Sequence, residues 1–153
     1  MKHYLGLFFL LFSLVASAQK VEVTSDSMEA IDAQKRVRLM GNVHIHQGEN
    51  HLYAKEVIVS FDANHEAHKY EARGGVSFTL KENRHHYKGY ANVLIYYPQS
   101  LRYILVGKAS VEDKIASRRL TGERIVLNMK NGNAKIDGNH KKPVKFIFEM
   151  EKK

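Results

Sequence analysis

The sequence contains no cysteine, no tryptophan and only two prolines. Without cysteine there is no disulfide framework, no thiolate nucleophile, no cysteine-based zinc site and no lipid anchor attached at cysteine. Tryptophan is missing and aromatic residues are not interleaved with the basic stretches, so nucleic-acid bases find no stacking platform. Pro98 and Pro143 both fall outside the alternating runs described below, and no strand interior loses a backbone donor to proline. There is no Gly-x-Ser-x-Gly elbow and no phosphate-cradling glycine loop, and the carboxylates are scattered without a recognisable pair. These absences point away from an enzyme, and no cofactor is expected.

Long apolar runs are scarce too. The stretch Tyr4 to Val15 is shorter than the roughly 20 residues that a membrane-spanning helix needs. It follows Lys2 and His3 and precedes Ala16-Ser17-Ala18, the small-x-small pattern of a cleavage site before Gln19. Residues 1–18 are therefore expected to be a cleavable signal peptide, and residues 19–153 a single exported domain. A retained N-terminal anchor is the alternative. Once Lys2 is removed with the leader, 23 basic residues stand against 16 acidic ones. Such an excess suits an anionic partner, either phosphate or an acidic membrane surface. Nucleic acid is not an expected partner of an exported chain without a stacking platform.

What is present is a recurring glycine. Gly41, Gly74, Gly107 and Gly138 are spaced by 33, 33 and 31 residues. Around the first three, the positions four and two before, and two and four after, read Val37, Leu39, Val43 and Ile45, then Tyr70, Ala72, Val76 and Phe78, then Tyr103, Leu105, Ala109 and Val111. All are apolar or aromatic, whereas the interleaved positions are mostly polar. Alternation of period two is a strand with one dry face, and its recurrence means that one β-unit has been stacked on itself several times. A second family of strands reads Val57-Val59-Phe61, Leu94-Tyr96 and Ile125-Leu127-Met129. Turn chemistry separates the runs at Gln47–Asn50, Asp62–Asn64, Lys81–Asn83, Lys130–Asn133 and Asp137–Asn139. The fold class is all-β, with one long apolar interior.

Met28 to Arg36 is rich in helix formers, and Asp26 with Glu29 resembles a capping box. A turn or a short helix is expected there. A repeated sheet also has two terminal edges with unpaired backbone groups. The first is formed by Val21, Glu22, Val23 and Thr24, and the last by Val144, Lys145, Phe146, Ile147 and Phe148 within a run that reaches Met150. Both are candidates for adding a strand from another chain.

Several of these residues carry a resemblance. Ser25-Asp26, Met40-Gly41-Asn42-Val43, Gln47-Gly48 and Leu52-Tyr53-Ala54-Lys55-Glu56-Val57-Ile58-Val59 resemble the opening of the OstA-like domain of the LptA family. Lys88-Gly89-Tyr90-Ala91 and Leu120-Thr121-Gly122-Glu123-Arg124-Ile125 resemble later copies of its second motif. The similarity spans about residues 21 to 148. It departs at Lys55 and Glu123, where the family commonly has aspartate, and at Asn92, one place after Ala91.

The resemblance implies a twisted β-jellyroll, open at both ends like a folded taco, that shelters the acyl chains of lipopolysaccharide in the periplasm of a Gram-negative bacterium. It places Val21 and Val23 against lipid near the first edge, and Phe78 and Tyr96 further along. With the inward-pointing Leu39, Val43, Ile45, Val59, Phe61, Val76, Leu94, Leu105 and Leu127, these are the expected lining residues. The implied partners are an LptC-type inner-membrane protein at the N-terminal edge and an LptD-type outer-membrane protein at the C-terminal edge. Further copies would dock head to tail. Two alternatives share the fold: an LptC-type subunit that keeps its anchor, and a β-structural interaction module with a fully packed core.

The nine histidines include His44-x-His46, His65-x-x-His68 and His85-His86. The first pair falls on the outward parity and the others in polar, turn-like stretches, so solvated surface histidines are expected and no metal site. Arg118-Arg119, Lys141-Lys142 and Arg84-His85-His86 are candidates for meeting phosphates, or else form an ordinary solubilising surface.

Overall fold

The computed structural model describes residues 21–82, 85–128 and 130–150. The expected leader, Arg84 and Met129 lie outside the described residues. Ten strands follow in order: β1 (Val21–Thr24), β2 (Ser27–Ile31), β3 (Arg36–Gln47), β4 (Asn50–Phe61), β5 (Ala67–Glu82), β6 (His85–Tyr97), β7 (Arg102–Asp113), β8 (Arg118–Asn128), β9 (Asn133–Asp137) and β10 (Lys145–Phe148). All belong to one antiparallel sheet in the order β1-β3-β4-β5-β6-β7-β8-β10, with β2 also on β3 and β9 also on β8.

The long strands are bent at a shared line. The register slips between Met40 and Val43, Tyr53 and Glu56, Arg73 and Val76, Tyr90 and Val93, and Val106 and Ala109. An extra residue at each slip bends and twists the strand, as β-bulges do. Gly41, Gly74 and Gly107 sit on this line with φ of +81°, +85° and +83°, where an L-residue is strained. The recurring glycine of the sequence is thus a corner.

The corner divides the sheet into two facing leaves. One leaf contains β1, β10 and the adjoining halves of the long strands, and the other contains β2, β9 and the remaining halves. Inner side chains from both leaves, among them Val43, Leu52 and Val76 from one and Leu39, Val59 and Leu105 from the other, form a single apolar core. Burying these side chains is what offsets the cost of ordering so many strands.

Two expectations are corrected. The segment Met28 to Arg36 is neither a helix nor simply a turn. Ser27–Ile31 forms β2, paired with β3 in the register Met28↔Leu39, and only Asp32–Gln34 makes a 3-10 turn. Pairing with a neighbouring strand overrides the intrinsic preference of Met, Glu and Ala for helix. Asp26 consequently caps no helix: its carboxylate accepts a hydrogen bond from Asn42 Nδ2 at 2.9 Å, beside Gly41. The second correction concerns the edges, which number two at each end, β1 with β2 and β9 with β10. Val144 precedes β10 and does not belong to it.

Candidate functional site

The interior between the leaves is the one place where the expected lining residues converge. Leu39, Val43, Ile45, Val59, Phe61, Val76, Leu94, Tyr96 and Leu105 are buried within the core, and Val21, Val23, Phe78 and Leu127 are partly buried and packed against it. The nine core members have 8% or less of their surface exposed, so a ligand could reach them only if the leaves part. The four partly buried residues already present apolar surface at the margins of the core.

The same interior contains residues that the period-two reading passed over. Leu52, Ala54 and Ala91 are buried in the core. On β4 the inward parity runs through Leu52 and Ala54, then resumes at Val57 instead of at Glu56. The bulge shifts the phase by one residue, and this hid the first half of the strand from an alternation search. A small residue just before each slip was the available signal: Ala54, Ala91 and Gly122 occupy it on β4, β6 and β8.

Tyrosines cross the middle of the interior. Tyr70 and Tyr96 are tilted together with ring centroids 5.8 Å apart, and Tyr96 stacks on Tyr103 at 4.3 Å. Burial pushes the phenol pKa of both Tyr70 and Tyr96 upward, so both stay neutral. A row of neutral, buried rings suits an apolar ligand, whereas a charged one would lose its hydration there.

The two ends differ in how well they are covered. β1 lies on β3 with Val23 opposite Ile45, and Glu22 reaches His46 at 2.9 Å. β10 lies on β8 with Phe146 opposite Leu120, yet Phe146, Ile147 and Phe148 are 51%, 48% and 52% exposed. Large apolar side chains exposed on both faces of an edge strand mark an incompletely covered end.

The outer face is polar. His44, His46, His51 and Tyr53 stack in a patch on β3 and β4, with His44 Nε2 2.9 Å from His51 Nδ1. His65 and His68 are exposed, as expected, but His44 and His46 are half-buried, and His46 Nδ1 is buried without a partner. Burial, then the neighbouring His46 and His51, hold the His44 pKa below its ordinary value, with Glu22 opposing. No three His, Asp or Glu side chains among the described residues converge in metal-binding geometry. Of the residues where the sequence departs from the family, Lys55 lies over the corner glycine Gly74 and Asn92 over Gly107, just as Asp26 lies over Gly41.

A single antiparallel sheet, folded at a glycine-lined corner into a jellyroll with an apolar inside, defines a class of protein. Comparison with known families agrees with the motifs read from the sequence. The family of LptA/(LptD N-terminal domain) LPS transport proteins matches residues 22–133, and this chain belongs to it. Among solved structures it is similar to LptH, the LptA homologous periplasmic component of the conserved lipopolysaccharide transport device from Pseudomonas aeruginosa. That likeness has a TM-score of 0.73 at 20% identity, covering 86% of this chain and 96% of LptH, and it bears on the fold. No curated protein matches the chain.

Proposed function

We propose that this chain is a non-enzymatic periplasmic carrier of lipopolysaccharide, which shelters acyl chains between its two leaves and docks through its edge strands. The observation that carries the reading is the single apolar interior, shared by both leaves and bordered by partly buried Val21, Val23, Phe78 and Leu127. Family membership and the likeness to LptH support the substrate and the compartment. The domain would begin near Gln19, after removal of a signal peptide.

Magnitudes support an interior that is greasy first and charged second. An acyl chain of roughly 14 carbons gains about 11 kcal/mol from leaving water, at about 0.8 kcal/mol per CH₂. A basic residue near an anionic head group adds only about 1 kcal/mol. The acyl chain must therefore also supply the cost of separating side chains that already touch. β1 and β2 would receive an LptC-type partner, and β10, with exposed Phe146 and Phe148, an LptD-type partner or the next copy in a head-to-tail row.

The close packing of the nine buried residues favours one second reading, a module that works through its edges with its core permanently filled. Photo-crosslinking residues placed at Phe78 and Leu127 distinguish the two. The carrier reading expects crosslinks to lipopolysaccharide at both, lost from the Leu127 probe when Phe78 is replaced by Asp and from the Phe78 probe when Leu127 is replaced by Asp, and largely retained in Lys141→Ala/Lys142→Ala. No crosslink in a folded protein would refute it. N-terminal sequencing of the exported protein separates the soluble carrier, starting at Gln19, from an LptC-type anchored subunit that retains Met1.

A further inference from the structure

The three basic clusters of the sequence are not equivalent in the fold. Arg118 and Arg119 are committed to Asp113 and Glu112, at 3.0 and 2.9 Å. Arg84 lies outside the described residues. Lys141 and Lys142 make no ion pair among the described residues. They line a concavity of about 460 Å³ together with Asn92, Lys108, Glu123 and Asn139, and none of these residues belongs to the apolar core.

The loop that carries the two lysines is built. Asn139 Oδ1 accepts hydrogen bonds from the backbone N–H of Lys141 at 2.9 Å and of Lys142 at 2.8 Å. The N–H of Asn139 donates to the carbonyl of Lys142 at 2.8 Å, closing the turn. Gly138 makes this possible, since a Cβ there would lie 2.7 Å from both Lys142 O and Val144 N. The backbone thus sets both lysines leaving the chain from fixed points beside Lys108.

Lys108 supplies an independent observation. It follows the corner glycine of its strand and adopts φ +51°. The same position holds Asn42 at φ +46° on β3 and Gly75 at φ +82° on β5, the residue types that tolerate a left-handed backbone. A lysine there is strained and gains nothing in the core. The corner that keeps it is the corner that opens on this concavity, and a left-handed backbone at a non-glycine residue is found at ligand-binding sites as well as in turns such as those of Leu101 and Ser117.

We propose that this concavity binds a phosphorylated sugar. Lys108, Lys141 and Lys142 take the phosphate, as compact charges with rotatable donors. Glu123, which would repel a bare anion, accepts hydrogen bonds from sugar hydroxyls, and Asn92 both donates and accepts. The chemistry is shared by the head group of a phosphorylated glycolipid and by a free sugar phosphate. The site is separate from the interior, so it stands whether or not acyl chains enter between the leaves.

The test is an NMR titration of the protein, purified after export, with glucose 1-phosphate, inorganic phosphate, glucose and deacylated lipopolysaccharide. The expected result is saturable shifts at Lys108, Asn139 and Lys142 with glucose 1-phosphate, none with glucose, and inorganic phosphate weaker by about tenfold. Lys141→Ala/Lys142→Ala should weaken binding by about tenfold or more. Lys108→Gly should weaken it several-fold while leaving Tm unchanged or higher, because glycine relieves the backbone strain. Phe78→Asp should leave it intact. Tighter binding of deacylated lipopolysaccharide than of glucose 1-phosphate assigns the head-group source and the reverse assigns a free sugar phosphate; either supports the site. Absence of saturation, or parental affinity in both lysine variants, overturns it. Equal affinity for inorganic phosphate removes the sugar from the assignment and overturns it as stated.

Discussion

Two neighbouring glycines at the corner of β5 offer a controlled test of why the sheet bends there. Gly74 and Gly75 have nearly the same backbone, at φ +85° and +82°. Alanine at either position incurs about 1–2 kcal/mol for an L-residue in left-handed geometry, offset by about 0.4–1 kcal/mol from a stiffer unfolded chain. The surroundings differ. A Cβ on Gly74 would sit 2.6 Å from Lys55 Cβ, an atom fixed to the backbone of β4, whereas a Cβ on Gly75 would meet only the Tyr90 hydroxyl, at 3.3 Å. Relieving the first collision requires β4 and β5 to shift, at about 1–3 kcal/mol, while Tyr90 can swing aside. Gly74→Ala should therefore cost about 2–4 kcal/mol in all, and Gly75→Ala about 1 kcal/mol or less. Urea denaturation reads this as a drop in midpoint at unchanged slope, larger for Gly74→Ala. If Gly75→Ala is as damaging as Gly74→Ala, the corner is not held by close approach of β4 to β5, and the account of the two leaves loses its main support.

Further outcomes follow from the outer face and the edges. The lowered pKa of His44 means that its contribution to stability is present above about pH 6.5 and is lost as pH falls through the lower folded value. Melting temperature should decline on acidification from pH 7, less steeply in His44→Asn. Asp26→Ala removes the acceptor of Asn42 Nδ2 and should cost about 0.5–1 kcal/mol, measurable by denaturant midpoint. Phe146→Pro removes a backbone donor from β10 and should weaken head-to-tail self-association in sedimentation velocity with little change in Tm. Unchanged association would count against strand addition at that edge.

How far the structure was legible depends on the strand. On β3, β5 and β7 the inward side chains keep an even spacing through the corner glycine, as in Leu39, Gly41 and Val43. Alternation alone therefore exposed these strands whole. On β4, β6 and β8 the phase shifts, from Ala54 to Val57 on β4 and from Ala91 to Leu94 on β6, so only the later halves stood out. Met28 to Ile31 misled because its helix preference is weak and local, and the strand it forms exists only because β3 lies beside it. The lining residues were readable as one apolar set, but not their depth of burial, which depends on how closely the leaves meet.

The sequence by itself determined that the chain is a repeated, one-faced β-structure that holds no disulfide, because period, spacing and composition are properties of neighbouring residues. Only the tertiary structure decided that the glycines form a corner, that each end carries two edge strands, and that Lys108 lines one concavity with Lys141 and Lys142 while Arg118 and Arg119 are paired with carboxylates. Those facts join residues far apart in the chain, through bulge geometry and register, and no local pattern records which distant partner a side chain will meet.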